Sequence, residues 1–228
     1  MPDYYRSLVA VAGGAGLRWG EVVGLCPDAL DLEAGTLSVI RTVVEVSRNT
    51  SFKPFPKSSA GRRSVPLPPW PARHSRDHLR EWPPSSERAP VFANMAGKPH
   101  RRTLFRSRVR RPSLVLAGLL GQVTEEDGGF VAIWLDAAGE GRTEKRRTHS
   151  QAVKVAAANA GEGLRFHDLR HSYATWLVDD GVPVNMVQRV LGHERSSATP
   201  DLYTRRTDGG DRMLRALTDE ADDGLGPR

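Results

Sequence analysis

The 228-residue sequence predicts a mainly α fold with small β elements, and three observations predict it. Apolar residues recur at helical spacing over residues 4–25 and again over 164–217. Between residues 37 and 67, runs rich in Val, Ile and Thr alternate apolar with polar positions, as half-buried strands do. Residues 121–160 hold strand-like segments parted by Asp/Gly turns and then an Ala-rich stretch, a small three-strand-plus-helix module inserted between helices. Hydrophobic residues make up 39% and charged residues 26% of the chain, ordinary values for a globular protein long enough to bury a sizeable core.

The first helical stretch sets Tyr5, Leu8, Val9 and Ala12 on one face, breaks at Gly13-Gly14-Ala15-Gly16, resumes with Leu17, Val22 and Leu25, and closes at Pro27. Leu37–Val46 reads as a strand and Arg62–Leu67 as its partner. Lys53–Gly61 is then the connecting turn, with Lys57 near the tip of the hairpin. A short helix is expected at His74–Trp82 inside a Pro-rich stretch, and Val91-Phe92 opens a new element. Lys98, Arg101, Arg102, Arg106, Arg108, Arg110 and Arg111 follow as a basic run, either a solvated face or a surface for backbone phosphates. Of these, Lys98, Arg101, Arg102, Arg106 and Arg108 are the expected DNA contacts.

In the module, strands are expected at Gln122–Glu125, Gly129–Leu135 and Arg142–Arg147. A helix over Thr148–Ala160 follows, with Ser150 as its N-cap. Helices His167–Asp180 and Val184–Leu191 then end at Gly181 and Gly192, glycines suited to the left-handed cap. Thr199-Pro200 can start another helix, and Asp211–Thr218 a short amphipathic one. The domain reading is therefore 1–120 with 161–218 as one unit, 121–160 as an insert, and 219–228 as a frayed acidic tail.

A net charge of +6 and a pI of about 9.9 point to an anionic partner, nucleic acid first. The single cysteine, Cys26, excludes an internal disulfide and fits a reducing, cytoplasmic compartment. No stretch approaches the ~18 apolar residues of a membrane span, and no secretory signal is visible.

The residues with chemistry to offer cluster late in the chain. His167 and Arg170 are neighbours on a helical face, His193 follows a helix end, and Tyr203 lies ten residues beyond it. Cleaving a phosphodiester needs an in-line nucleophile, a proton acceptor, an acid for the leaving oxygen, and cationic forks that match the charged non-bridging oxygens. Taken singly, each residue has a plainer reading. Arg18 is a surface arginine, Lys57 a turn residue and Tyr203 a half-buried core residue. His167, His171 and His193 are a zinc set without an evident fourth ligand.

Four segments in order resemble the catalytic domain of tyrosine recombinases of the phage integrase family. They are Gly16-Leu-Arg18-Trp-Gly-Glu21-Val-Val-Gly-Leu25, Pro56-Lys57 through Val65-Pro-Leu67, His167-Asp-Leu-Arg170-His-Ser-Tyr-Ala-Thr175, and Leu191-Gly-His193 with Tyr203. The resemblance implies that Tyr203 is the nucleophile forming a 3′-phosphotyrosyl link. Arg18 and Arg170 would clamp the phosphate, Lys57 would protonate the 5′ oxygen, His167 would assist the tyrosine proton, and His193 would hydrogen-bond the phosphate. Glu21 would orient Arg18.

No metal and no cofactor is implied. The implied partners are double-stranded DNA attachment sites, three further copies in a homotetramer, and an accessory DNA-bending or excision factor, in a bacterial nucleoid. Type IB topoisomerases share the chemistry, but pairing Leu-Gly-His with His-x-x-Arg favours a recombinase. The family carries an all-helical DNA-binding domain before the catalytic one, and only seventeen residues precede Arg18 here. The expectation is an N-terminally truncated recombinase, with a DNA-binding remnant as the alternative. The 121–160 insert resembles the small arm-type DNA-binding modules of integrases, so DNA contact is expected of it beside the plainer reading of a packed decoration.

Overall fold

The computed structural model describes residues 1–54, 63–161 and 163–192. Helix α1 (Arg6–Gly14) is buried along most of its length, and its C-terminal end leads through a left-handed Gly16 (φ 60°) into the short α2 (Trp19–Val22). A side chain at Gly16 would overlap the Tyr173 ring, so close packing as well as backbone conformation selects glycine there.

The β region differs from the single hairpin expected from sequence. Leu37–Val46 is split at Ile40 into β2 (Thr36–Val39) and β3 (Arg41–Val46), which join different sheets. In one sheet β2 lies between β1 (Leu30–Asp31) and β5 (Arg63–Pro66), with Leu37 opposite Val65. In the other, β3 pairs with β4 (Asn49–Pro54), so Lys53 is a strand residue opposite Thr42 rather than part of a turn. The tip of that hairpin is Ser47-Arg48, and Lys57 falls between β4 and β5, outside the described residues.

Helix α3 (Pro69–Glu81) begins five residues before the sequence expectation, because Pro69 and Pro71 sit in its first turn, where a missing N–H breaks no helical bond. Val91 and Phe92 are core residues within a loop. The basic run forms a continuous helical rod made of α4 (Arg102–Phe105), a π-helical turn (Arg106–Arg110) and α5 (Arg111–Leu116). Glu45 of β3 fixes its start, accepting the Arg102 N–H at 2.8 Å and the Thr103 hydroxyl at 2.9 Å. A carboxylate at that position also complements the positive end of the rod.

Strands β6 (Gln122–Glu126), β7 (Gly129–Leu135) and β8 (Gly141–Arg146) form an antiparallel sheet in that order, and α6 (His149–Asn159) covers one face. Ala132, Trp134, Ala152, Val153 and Ala156 build a core there that is separate from the main one and shared with Val115 of α5. The N-cap of α6 is Thr148, whose hydroxyl accepts the Gln151 N–H, not Ser150.

Helices α7 (Asp168–Asp179) and α8 (Val184–Leu191) follow, packed through Tyr173, Ala174, Val187 and Leu191. Leu169 joins α7 to the main core. No helix among the described residues is long and apolar enough to cross a membrane.

Candidate active site

Helix α8 ends in three carbonyls that its own backbone cannot satisfy, the situation at every helix C-terminus. Here three arginines from three elements meet them in succession. Arg63 Nε donates to Val190 O at 2.6 Å, Arg170 Nη2 to Leu191 O at 2.6 Å, and Arg18 Nη2 to Gly192 O at 3.4 Å. The negative end of the helix dipole favours this gathering of cations. Gly192 takes a left-handed conformation (φ 67°), and a Cβ there would lie 3.1–3.3 Å from the Arg63 guanidinium. Glycine lets the arginines approach.

A buried carboxylate ties the group together. Glu21 accepts both terminal nitrogens of Arg63, at 3.0 and 2.9 Å, and Arg18 Nη1 at 3.1 Å, and it reaches back to the Arg18 N–H at 2.9 Å. The Glu21 side chain is 2% exposed and that of Arg63 8%. Burial alone would raise the Glu21 pKa, but the hydrogen bonds and charges of Arg63 and Arg18 hold it below the ordinary carboxylate value. The carboxylate expected to orient Arg18 therefore does so, and it also holds Arg63, which sequence reasoning passed over. The signal was present. Arg63 sits two residues before buried Val65 on a strand, so the period of two turns it inward, and a buried arginine needs a partner.

Arg18, His167 and Arg170 lie within the described residues, whereas Lys57, His193 and Tyr203 lie outside them. Arg18 is exposed at the N-cap of α2, and His167 occupies the N-cap of α7. Both line a cleft of about 850 Å³ that also presents Thr42, Glu45 and Arg101. Arg170 has a different setting from its helical neighbour His167. It is buried, and its Nη1 donates to Gly16 O at 2.7 Å while Nη2 reaches Leu191 O.

The His167 ring stands edge-on to His171, with centroids 4.6 Å apart. Burial lowers its pKa, and the charges of His171, Arg170 and Arg18 lower it further. The Asp168 carboxylate opposes these, and the net shift favours the uncharged imidazole.

The expected DNA contacts divide among surfaces. Lys98 and Arg108 are exposed and line no cleft described here. Arg101 faces the cleft but pairs with Glu45 at 3.3 Å. Arg102 lines both the cleft and a second cavity, and Arg106 lines that second cavity alone of the two. The 121–160 module carries five Lys/Arg against six Asp/Glu, so bulk charge does not draw it toward DNA. Arg142 and Arg146 of its third strand pair with its own acids Asp136, Glu140 and Glu144.

Known proteins resemble this chain in sequence and in fold. A tyrosine recombinase XerC-like protein of Caldanaerobacter subterraneus subsp. tengcongensis is 29% identical over 209 residues, which are 87% of this chain and 45% of that protein. A putative prophage phiRv2 integrase of Mycobacterium tuberculosis is 27% identical over 217 residues, 95% of this chain and 46% of that one. The chain thus spans about half the length of the curated relatives it matches. In fold it resembles the Tn1549 transposon integrase in complex with transposon right end DNA, with a TM-score of 0.63 at 16% identity over 95% of this chain and 58% of that one. The XerA recombinase crystal structure gives a TM-score of 0.54 at 15% identity, over 95% of this chain and 56% of that one. With residues 2–209 matching the phage integrase family, the chain belongs to that family and carries a tyrosine recombinase catalytic domain.

Proposed function

We propose that this chain supplies the catalytic half of a site-specific DNA recombinase acting through a 3′-phosphotyrosyl intermediate. The observation that carries the reading is the convergence of Arg18 and Arg170 on the C-terminal carbonyls of α8, beside His167 and immediately before the segment that holds His193 and Tyr203. In the proposed reaction the Tyr203 hydroxyl attacks the scissile phosphorus and passes its proton toward His167. Arg18, Arg170 and His193 stabilise the charge that builds on the non-bridging oxygens. The bond from phosphorus to the 5′ oxygen breaks, and Lys57 protonates that oxygen. Attack by the 5′ hydroxyl of a partner strand reverses the steps, so the energy of the diester is conserved in the tyrosyl link. The proposed assembly is a homotetramer on paired double-stranded attachment sites, with an accessory DNA-bending or excision factor. Residues 1–120 and 161–218 would form its catalytic unit around the 121–160 insert.

The test is incubation of the chain with a nicked duplex whose cleaved fragment diffuses away, trapping the covalent complex. The expected result is a protein–DNA adduct, lost in Tyr203→Phe with DNA binding retained. Binding without adduct by the unsubstituted chain would instead favour the alternative, a remnant that holds DNA without cutting it.

A further inference from the structure

Behind the catalytic cleft lies a second cavity of about 460 Å³ whose walls are basic. Arg102, Arg106, Arg110, Arg111 and Arg165 line it, against an aromatic wall of Trp19, Phe105 and Phe166. No acidic side chain among the described residues lines it. Trp19 and Phe166 are the chain neighbours of Arg18 and His167, and together with Arg102 they also line the cleft, so the two hollows share a wall.

The arginines of this cavity are not equivalent. Arg111 is buried and bound to the carbonyls at the end of α6. Arg110 gives one nitrogen to Leu164 O at 2.7 Å, while its Nε is buried without a partner. Arg106 is exposed and makes no ion pair among the described residues. The π-helical turn places Arg106 and Arg110 together on the cavity side of the rod, whereas Arg108 lines neither this cavity nor the cleft. Such inserted turns are frequent where a helix serves a function. Guanidinium groups of like charge crowd one another here, and burial together with the charges of Arg106, Arg111 and Arg102 lowers the Arg110 pKa against the opposing charge of Asp168. An anion in the cavity would relieve that repulsion.

We infer that this cavity is a second phosphate seat, which takes a backbone phosphodiester of the duplex next to the one held at Arg18, with Arg106 and Arg110 as its ligands. The inference rests on the DNA-recombinase reading and adds a contact site to it. A seat across the shared wall from the cleft would fix the strand's register relative to the nucleophile, which is what phosphate contacts do without reading sequence.

The experiment measures affinity of the full chain for a short duplex of arbitrary sequence as a function of salt. The wild type is compared with Arg106→Gln, Arg106→Lys and, as control, Arg73→Gln, an exposed arginine of α3 that lines neither hollow. Each neutralised phosphate contributes about 0.9 to the slope of log K against log salt. Arg106→Gln is expected to lower the slope by about one such increment, Arg106→Lys to restore it, and Arg73→Gln to leave it unchanged.

Equal slopes for Arg106→Gln and wild type would overturn the inference while leaving the recombinase reading intact. Equal losses in Arg106→Gln and Arg73→Gln would also overturn it, by showing a diffuse effect of surface charge. Stabilisation of the wild type by inorganic phosphate at constant ionic strength, with the DNA slope unmoved by Arg106→Gln, would assign the cavity to a free anion and likewise overturn it. If the wild type binds no duplex at all, the recombinase reading fails and the seat fails with it.

Discussion

Helices α6 and α8 end in the same physical predicament, and the chain resolves it with arginine both times but to different ends. At α6 a single buried guanidinium, that of Arg111, reaches the carbonyls of Ala157, Ala160 and Gly161, the last two from Nη2 at 2.5 Å and Nη1 at 3.3 Å. It has no carboxylate partner among the described residues. At α8 three guanidinium groups take one carbonyl each, a buried Glu21 links two of them, and Arg18 remains exposed toward a cleft. One arginine against several carbonyls makes a joint, which fastens the 121–160 module to the rod of α5. Several arginines against successive carbonyls, balanced by one acid, make a cluster whose outer member can still meet a ligand. Charge balance and exposure, more than the cap itself, separate a docking contact from a site.

The comparison breaks most sharply at Glu21. Glu21→Ala leaves the buried Arg63 without its acid, and removing one partner of a buried pair costs about 3–5 kcal/mol. Urea denaturation should show that loss, and a variant as stable as wild type would mean that the α8 carbonyls alone suffice for Arg63.

At the other end, Arg111→Ala should cost on the order of 3 kcal/mol, since it strands buried carbonyls. Hydrogen exchange is the sharper readout. Amides of β6–β8 and α6 should lose protection while those of α1 and α7 keep theirs. Uniform loss would show that Arg111 supports the whole core instead of the joint.

The two ends should also part company in acid. The folded-state pKa of Glu21 lies below its unfolded value, so its contribution is complete above the unfolded pKa of about 4.3 and is lost as pH falls through the folded value. Among the described residues no buried acid pairs with Arg111 at the α6 end, and Asp136 of that module, whose pKa is also lowered by Arg142, is partly exposed. In variants that keep only Trp19 or only Trp134 as fluorophore, the Trp19 signal should change first as the pH drops below about 4. Coincident transitions would contradict the assignment.

The smallest effect concerns the start of α6. Thr148→Ala should cost about 1 kcal/mol and Ser150→Ala within about 0.5 kcal/mol of nothing, measured by thermal melting. The reverse order would restore the cap that the sequence pointed to.

How much of this was legible in the sequence depended on how local the cause was. The bounds of β7 and α8 match the sequence expectation residue for residue, because alternation between Asp/Gly turns and a terminal Gly192 are signals that lie within a few residues. The β3–β4 hairpin escaped. Its tip holds Ser47 and Arg48 at φ 47° and 67°, where glycine or asparagine would have announced the turn, and Asn49–Pro54 lacks apolar alternation. The motifs pointed to Arg18, His167 and Arg170, and the fold brings the three close enough for the charges of both arginines to act on the imidazole. What joins Arg18 and Arg170 was not legible, because Gly16 O, Leu191 O and Gly192 O are backbone atoms that no residue pattern advertises. Arg63 and Arg111 were readable in principle as arginines at buried positions of a strand and a helix.

The central claim is that the arginines gathered at the end of α8 serve a phosphoryl transfer by Tyr203. It is tested most directly by the single-turnover rate of covalent adduct formation in Arg170→Ala, with folding checked by circular dichroism and duplex affinity measured in parallel. The expected rate is at least about 10²-fold below wild type, with affinity within a few-fold. Adduct formation at the wild-type rate by a folded Arg170→Ala chain would contradict it.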